Sequence, residues 1–300
     1  MNATALEGRW ILAGYAWTEE EVCLELHDPE SNRAESVPVG SKLAFRLLDD
    51  RRCAGRIDFE QLRRLPCEER TVLESGTQCA ACRAREGFAE CIRCDGVSCP
   101  PLAPAVHRYC TGTHHLYLAT FGGKEVKVGT ASHLRRRARL VEQGALVAAY
   151  VATAPGPEIK QLERAVAALG FPTAMRRREK LALLGSGVDE AEAEARILAA
   201  LDEIGRALPD SMHDALHPPE PMRQPALARR ARTYSYLQSL PLRPGSTVAG
   251  EVLGAVGSLV VLDDGGGAAA LDLADLRCRV IEMQSSTAES DVSRQLPLLQ

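Results

Sequence analysis

Apolar and polar residues alternate in short runs from position 8 to about 60, in RWILAGYAW, VCLELHD and KLAFRLLDD, with Pro, Gly, Asn and Asp between the runs. A period of two turns one face of each run toward a core, so this stretch predicts a small antiparallel β module. LYLAT, FGGKE and VKVGT predict a strand, a turn carrying Gly122 and Gly123, and a second strand. The spacing then becomes helical in HLRRRARLVEQG. Leu134, Ala138 and Val141 recur on one face, Ser132 is placed to cap the helix and Gly144 to stop it. ALVAAYVATA is too continuously apolar for an exposed strand and belongs in a covered sheet. EIKQLERAVAALG returns to helical spacing through Ile159, Leu162, Val166 and Leu169, and Gly170 ends it. The order from 115 to 170 is therefore strand, strand, helix, strand, helix.

Further along, Asp189 to Leu208 predicts an amphipathic helix with an acidic start, as the helix dipole favours. The last apolar runs, STVAGEVLGAVGSLVVLDD and AAALDLADLRCRVIEM, predict a hairpin and one more strand. The chain divides into an N-terminal β module (1–66), a Cys-rich segment (67–111), an α/β core with its following helix (112–208), a loop or linker (209–232), a C-terminal β segment (233–283) and a disordered tail (284–300). The fold class is α+β: a central β-β-α-β-α unit with a Cys-rich zinc module and small flanking β segments.

Composition narrows the function classes. The chain has 300 residues, 45% apolar and 25% charged, which excludes a wholly disordered polymer. Its longest apolar candidate, Ala145 to Ala154, is half of what a membrane helix needs, and MNATALEGRW lacks the basic and apolar regions of an export signal. A cytoplasmic protein with no membrane partner is expected. Net charge is −4, yet residues 124–180 hold twelve Lys or Arg against five Asp or Glu. That local excess of seven positive charges points to an anionic partner, DNA or RNA.

Seven of the ten cysteines, Cys67, Cys79, Cys82, Cys91, Cys94, Cys99 and Cys110, fall within 44 residues. In a reducing compartment, two CxxC pairs suit a tetrahedral ion, so Cys79, Cys82, Cys91 and Cys94 are the expected ligands of a structural zinc. Four thiolates leave no open coordination position, so the ion folds the segment rather than reacting. Cys67, Cys99, His107, Cys110, His114 and His115 are further candidates for a second site, although no spacing among them forces one.

LYLA, a glycine-containing turn, KVGT, SHLRRRARL and a later LER resemble the GIY-YIG nuclease superfamily over about 55 residues. HHLYLATFG, KVGT, EQGA and GEVLGAVGSLVVL, with cysteine pairs upstream, resemble more extensively a prokaryotic domain-of-unknown-function family. The nuclease resemblance implies that Tyr117 helps activate water, Gly129 closes the second motif, Arg137 stabilises phosphate charge and Glu163 holds magnesium or manganese. It departs from the motif at Lys127, which stands in place of the second tyrosine, and at His115-Leu116 in place of Gly-Ile. A lysine can accept a proton only when it is itself deprotonated.

The expected catalytic set is therefore Tyr117, Lys127, Arg137 and Glu163, with Gly129, Arg135, Arg136 and Arg139 binding substrate. The implied function is a zinc-containing nucleic-acid-binding or nucleic-acid-processing protein, with a divalent-metal-dependent nuclease as its hydrolytic form. Each residue also has a plainer role. Tyr117 can be a half-buried strand tyrosine, the arginine run a solvated helix face, and Glu163 a partner of charged neighbours such as Lys160 and Arg164. The alternatives are a non-catalytic zinc-stabilised protein-interaction module and a module for a small phosphorylated ligand.

Overall fold

A computed structural model describes residues 6–18, 20–284 and 290–292. The chain divides into two units: Met1–Asp58, Arg63–Arg85 and Leu227–Gln300 form the first, and Phe59–Leu62 and Glu86–Ala226 form the second. The first unit begins with β1 (Gly8–Trp17), β2 (Val22–His27), β3 (Ala34–Pro38) and β4 (Lys42–Arg51). Leu12, Leu24, Leu26, Leu43 and Phe45 are its fully buried anchors. A small pair, β5 (Arg56–Asp58) and β6 (Arg63–Leu65), and a short helix α1 (Ala80–Glu86) complete its N-terminal part.

The second unit starts with α2 (Pro104–Thr111), where Pro104 opens the helix without losing a needed N–H. Its centre is β7 (Thr113–Thr120), β8 (Lys127–Ser132), α3 (Arg136–Gln143), β9 (Val147–Pro155) and α4 (Gly156–Ala168). This is the expected order of strand, strand, helix, strand, helix. Then follow α5 (Arg177–Leu183), α6 (Glu190–Ala207) and β10 (Leu216–Pro221). The four strands form an antiparallel sheet ordered β10-β9-β7-β8. Leu116 and Leu118 of β7 face Ile159, Leu162 and Ile197, from α4 and α6. Tyr117 and Ala119, on the opposite face, pack with Leu140 of α3, Phe121 and Tyr150. Burial on both faces explains the unbroken apolar run of β9.

Two local expectations change here. The helix after Ser132 begins as a 3-10 turn over His133–Arg135, and its inward residues are Leu140 and Val141, while Leu134 is 68% exposed. A 3-10 turn rotates side chains by about 120° per residue rather than 100°, so the face projected from Leu134 does not carry through. Segment 209–232, read as loop or linker, carries a 3-10 turn, β10 and the helix α7 (Ala226–Ala231). Pro218, Pro219 and Pro221 are tolerated because β10 is an edge strand.

The C-terminal strands β11 (Thr247–Val256), β12 (Leu259–Asp263), β13 (Ala268–Asp272) and β14 (Arg279–Met283) return to the first unit. They interleave with the N-terminal strands in one antiparallel sheet ordered β13-β12-β11-β4-β14-β1-β2-β3. Strands from 8–51 and 247–283 thus share a single sheet, while β5 and β6 pair separately. β14 lies between β1 and β4 and satisfies a row of backbone groups on each. Of the tail 284–300, only Gln284 and residues 290–292 fall within the described residues, and Asp291 accepts from the Thr247 N–H at 2.6 Å.

Gly254 of β11 is needed for a close approach, since a Cβ there would lie 2.4 Å from the Ala231 backbone nitrogen. Gly205 in α6 has nothing within 4 Å of such an atom. Gly254→Val is expected to lower stability in urea unfolding by about 1–3 kcal/mol. Gly205→Ala is expected to raise it by about 0.5–1 kcal/mol.

Candidate metal centre and candidate ligand cleft

Four buried cysteines of the first unit, Cys53, Cys67, Cys79 and Cys82, bring their Sγ atoms within 4.8 Å of one another. Such a group can hold a metal ion such as zinc. Sγ of Cys67 and Sγ of Cys79 are 3.8 Å apart, which is the spacing of two thiolates on a tetrahedral zinc with Zn–S of about 2.3 Å. Cys82 follows Cys79 by one turn at the start of α1, and its N–H donates to Sγ of Cys79 at 3.4 Å. The Cys79 N–H in turn donates to Sγ of Cys53 at 3.2 Å. Burial opposes ionisation of Cys79, but the Cys82 N–H, the Thr71 hydroxyl and the neighbouring Cys53 and Cys82 thiols bring its thiol down to about 7. Burial pushes Cys53 up to about 11 and raises Cys82 further. Among the described residues, Leu73 and Ala81 are the partly buried apolar side chains packed against the group.

The expected ligand set is corrected in two members. Cys79 and Cys82 join Cys53 and Cys67, whereas Cys91 and Cys94 belong to the second unit. Cys53 was missed because it lies upstream of the cysteine-dense stretch. Its neighbourhood in RRCAGR gives no CxxC spacing, and only the return of the chain after β4 brings it to the others. Cys67→Ser is expected to cost the purified chain one equivalent of zinc by elemental analysis, and to lower its melting temperature.

In the second unit Tyr117 of β7 pairs with Gly129 of β8. The tyrosine ring lies across that glycine, where a Cβ would come within 2.4 Å of the phenol oxygen. The phenol therefore reaches the outer edge of β8, and Nζ of Lys127 donates to it at 3.1 Å. The same Nζ donates to Oε1 of Gln143 at 2.7 Å. Lys180, over the Phe121 ring at 4.6 Å, donates to the Gln143 backbone carbonyl at 2.7 Å. Lys127 is 6% exposed. Burial, reinforced by the Lys180 and Arg139 cations and opposed by Glu163, brings its ammonium down to about 8. Burial raises the Tyr117 phenol, and the nearby Arg139 guanidinium works against that rise.

The predicted set is thus partly gathered. Tyr117, Lys127 and Glu163 act on one another electrostatically, but Arg137 is exposed on α3 and Arg139 is the cation beside the phenol. The earlier choice followed motif spacing, whereas the 3-10 turn before α3 decides which arginine turns inward. Arg135 forms a two-point contact with Glu142 at 2.9 and 2.7 Å, and Arg136 pairs with Glu220 at 3.8 Å. Glu163 pairs with Lys160 at 2.8 Å, the plainer of its two readings. Tyr117 is 0% exposed, so the phenol is closed off by packing.

A cavity of about 340 Å³ adjoins this edge. Arg135, Arg139 and Lys160 line it together with the rings of Phe88 and Tyr109 and the Ser132 side chain. Ser132 Oγ is buried without a hydrogen-bond partner. A serine expected to cap a helix makes no capping bond. Sequence patterning shows no sign of Phe88, Tyr109, Lys160 or Ser132 as lining groups, because four separated segments contribute them. Of the other second-site candidates, His115 is buried against His133 (2.9 Å) and Thr153 (2.8 Å), and His107 is exposed.

The Lys127 environment predicts a pH effect. Its folded-state value lies below the usual 10.5, so from about pH 8 to 10.5 the unfolded chain binds more protons. The penalty for burying the ammonium is fully present below pH 8 and is relieved as pH rises through that window. Relative to Lys127→Met, the wild-type chain is expected to gain stability between pH 8 and 10 in urea unfolding; parallel pH curves would contradict the assignment.

No helix is long and apolar enough to cross a membrane among the described residues. No curated protein and no solved structure matches the chain. Residues 40–278, most of the chain, match the family model described as Protein of unknown function (DUF2797), and the chain belongs to that family.

Proposed function

We propose that the second unit is a GIY-YIG-like core that binds a nucleic-acid strand, with the cavity beside β8 receiving a phosphate and the base next to it. The observation that carries this reading is the cavity itself. Three cationic residues and two aromatic residues line the same space of about 340 Å³. Cations match phosphate oxygens, and flat rings stack on bases of any identity. The volume falls at the lower end of the range for small-ligand pockets, enough for one nucleotide unit of a longer strand.

The core likeness rests on the β9-β7-β8 strand order, the Tyr117–Gly129 pairing, and the placement of Lys127 and Glu163 at the same edge. Binding, rather than cleavage, is the function this geometry favours. A phenol enclosed by packing and hydrogen-bonded to an ammonium does not reach an incoming water. Glu163 already holds Lys160, which competes with magnesium or manganese for its carboxylate.

Fluorescence anisotropy with labelled single-stranded DNA and RNA tests the proposal. Affinity is expected to fall steeply with salt, and Arg139→Ala is expected to weaken binding while making the salt slope shallower by about 0.7. Tyr109→Ala is expected to cost about 1–3 kcal/mol of binding through lost stacking. Absence of binding at low salt, or binding indifferent to both substitutions, overturns the reading. A mononucleotide that binds as tightly as the strand, with little salt dependence, replaces it with the small phosphorylated-ligand alternative.

A further inference from the structure

We infer that Cys91, Cys94, Cys99 and Cys110 form a second, separate four-thiolate zinc site within the second unit. Cys91, Cys94 and Cys110 line the same cavity as Tyr109, Arg139 and Lys160, so this ion and the proposed strand would share that cavity wall. Cys91 and Cys94 are the ends of a single 3-10 turn, in which the Cys94 N–H donates to the Cys91 carbonyl at 3.3 Å. A CxxC on a tight turn offers two thiolates to one ion from the same side. The Gly96 N–H donates to Sγ of Cys94 at 3.3 Å, the kind of contact that stabilises a charged thiolate. Cys110 sits in the last turn of α2, a helix packed against α4.

The loop from Cys94 to Cys99 is held although it has little apolar material. Asp95 Oδ1 accepts from the N–H groups of Val97 and Ser98, Gln161 of α4 donates to the Gly96 carbonyl at 2.8 Å, and Arg164 pairs with Asp95 at 3.7 Å. Those contacts hold the loop that carries Cys99, and each of Cys91 and Cys110 senses the charges of both Cys94 and Cys99. Lys160 also faces Cys110, where a cation offsets the net charge of −2 that four thiolates leave on zinc.

Cohesion supplies the reason for an ion. Among the described residues from 86 to 111, Cys91 and Val106 are the only buried apolar side chains. A segment this poor in core cannot offset the entropy of ordering its backbone, whereas a structural zinc contributes about 10–16 kcal/mol. The Sγ atoms are less tightly drawn together than those of Cys53, Cys67, Cys79 and Cys82, which are the group lying wholly within 4.8 Å. Ion binding closes that spread, and each thiol gives up its proton to solvent as it ligates.

Zinc counting on the full-length chain tests the inference. Elemental analysis of the purified protein is expected to give two zinc ions per chain, and stepwise thiol titration with a mercurial is expected to release them in two phases. Cys99→Ser, at an exposed position, is expected to lose one ion while the strands of both sheets keep their far-ultraviolet circular dichroism. The doubly substituted Cys91→Ser, Cys110→Ser chain is also expected to hold one ion, and to lose that one when Cys67→Ser is added. In cobalt-loaded protein, Cys99→Ser is expected to halve the thiolate-to-cobalt absorption. A single zinc in the wild-type chain overturns the inference, as does retention of both ions by Cys99→Ser or by the doubly substituted chain.

Discussion

A tyrosine ring lying flat across a strand glycine organises the candidate cleft. Because Gly129 has no Cβ, Tyr117 extends over β8 to the sheet edge, where its hydroxyl meets Lys127. A buried ammonium is expensive unless its hydrogens are used. Here the phenol and Gln143 take two of them, and Lys180 fixes Gln143 from its backbone side. One missing methyl group thus sets the position of a phenol, a lysine, a glutamine and a second lysine. Arg139 and Glu163 complete a charged edge in which cations outnumber the carboxylate.

A second constraint runs through both units: cysteines stand where apolar core is scarce. In the first unit, Cys53, Cys67, Cys79 and Cys82 form a cluster of their own, with Leu73 and Ala81 as the partly buried apolar side chains packed against it among the described residues. A metal ion held by these thiols would do there what burial of leucine does in the large sheet. The eight-stranded sheet instead gains its cohesion from interleaving, with β14 inserted between β1 and β4. The two solutions coexist because ligand bonds need few residues and sheets need many.

The α/β core was legible because its elements are local and periodic. The hairpin, the covered strand and the helix through Ile159, Leu162 and Val166 follow from spacing alone. What failed depended on geometry between distant residues or on a subtle helical register. Arg139 rather than Arg137 faces the phenol because a 3-10 turn precedes α3. Cys53 joins Cys79 and Cys82 through a chain reversal that spacing does not encode. The sheet's strand order was equally invisible, since alternation predicts a strand but not its neighbour. β10 was masked by three prolines, which an edge strand accepts.

The cavity beside β8 is proposed to receive a nucleic-acid strand. Photocrosslinking with a 4-thiouridine-bearing single strand, followed by peptide mapping, locates the contact most directly. The account predicts adducts on peptides carrying Phe88 and Tyr109, abolished by excess unlabelled strand and reduced by Arg139→Ala. Adducts confined to the first unit, or none at all under low-salt conditions, would contradict it.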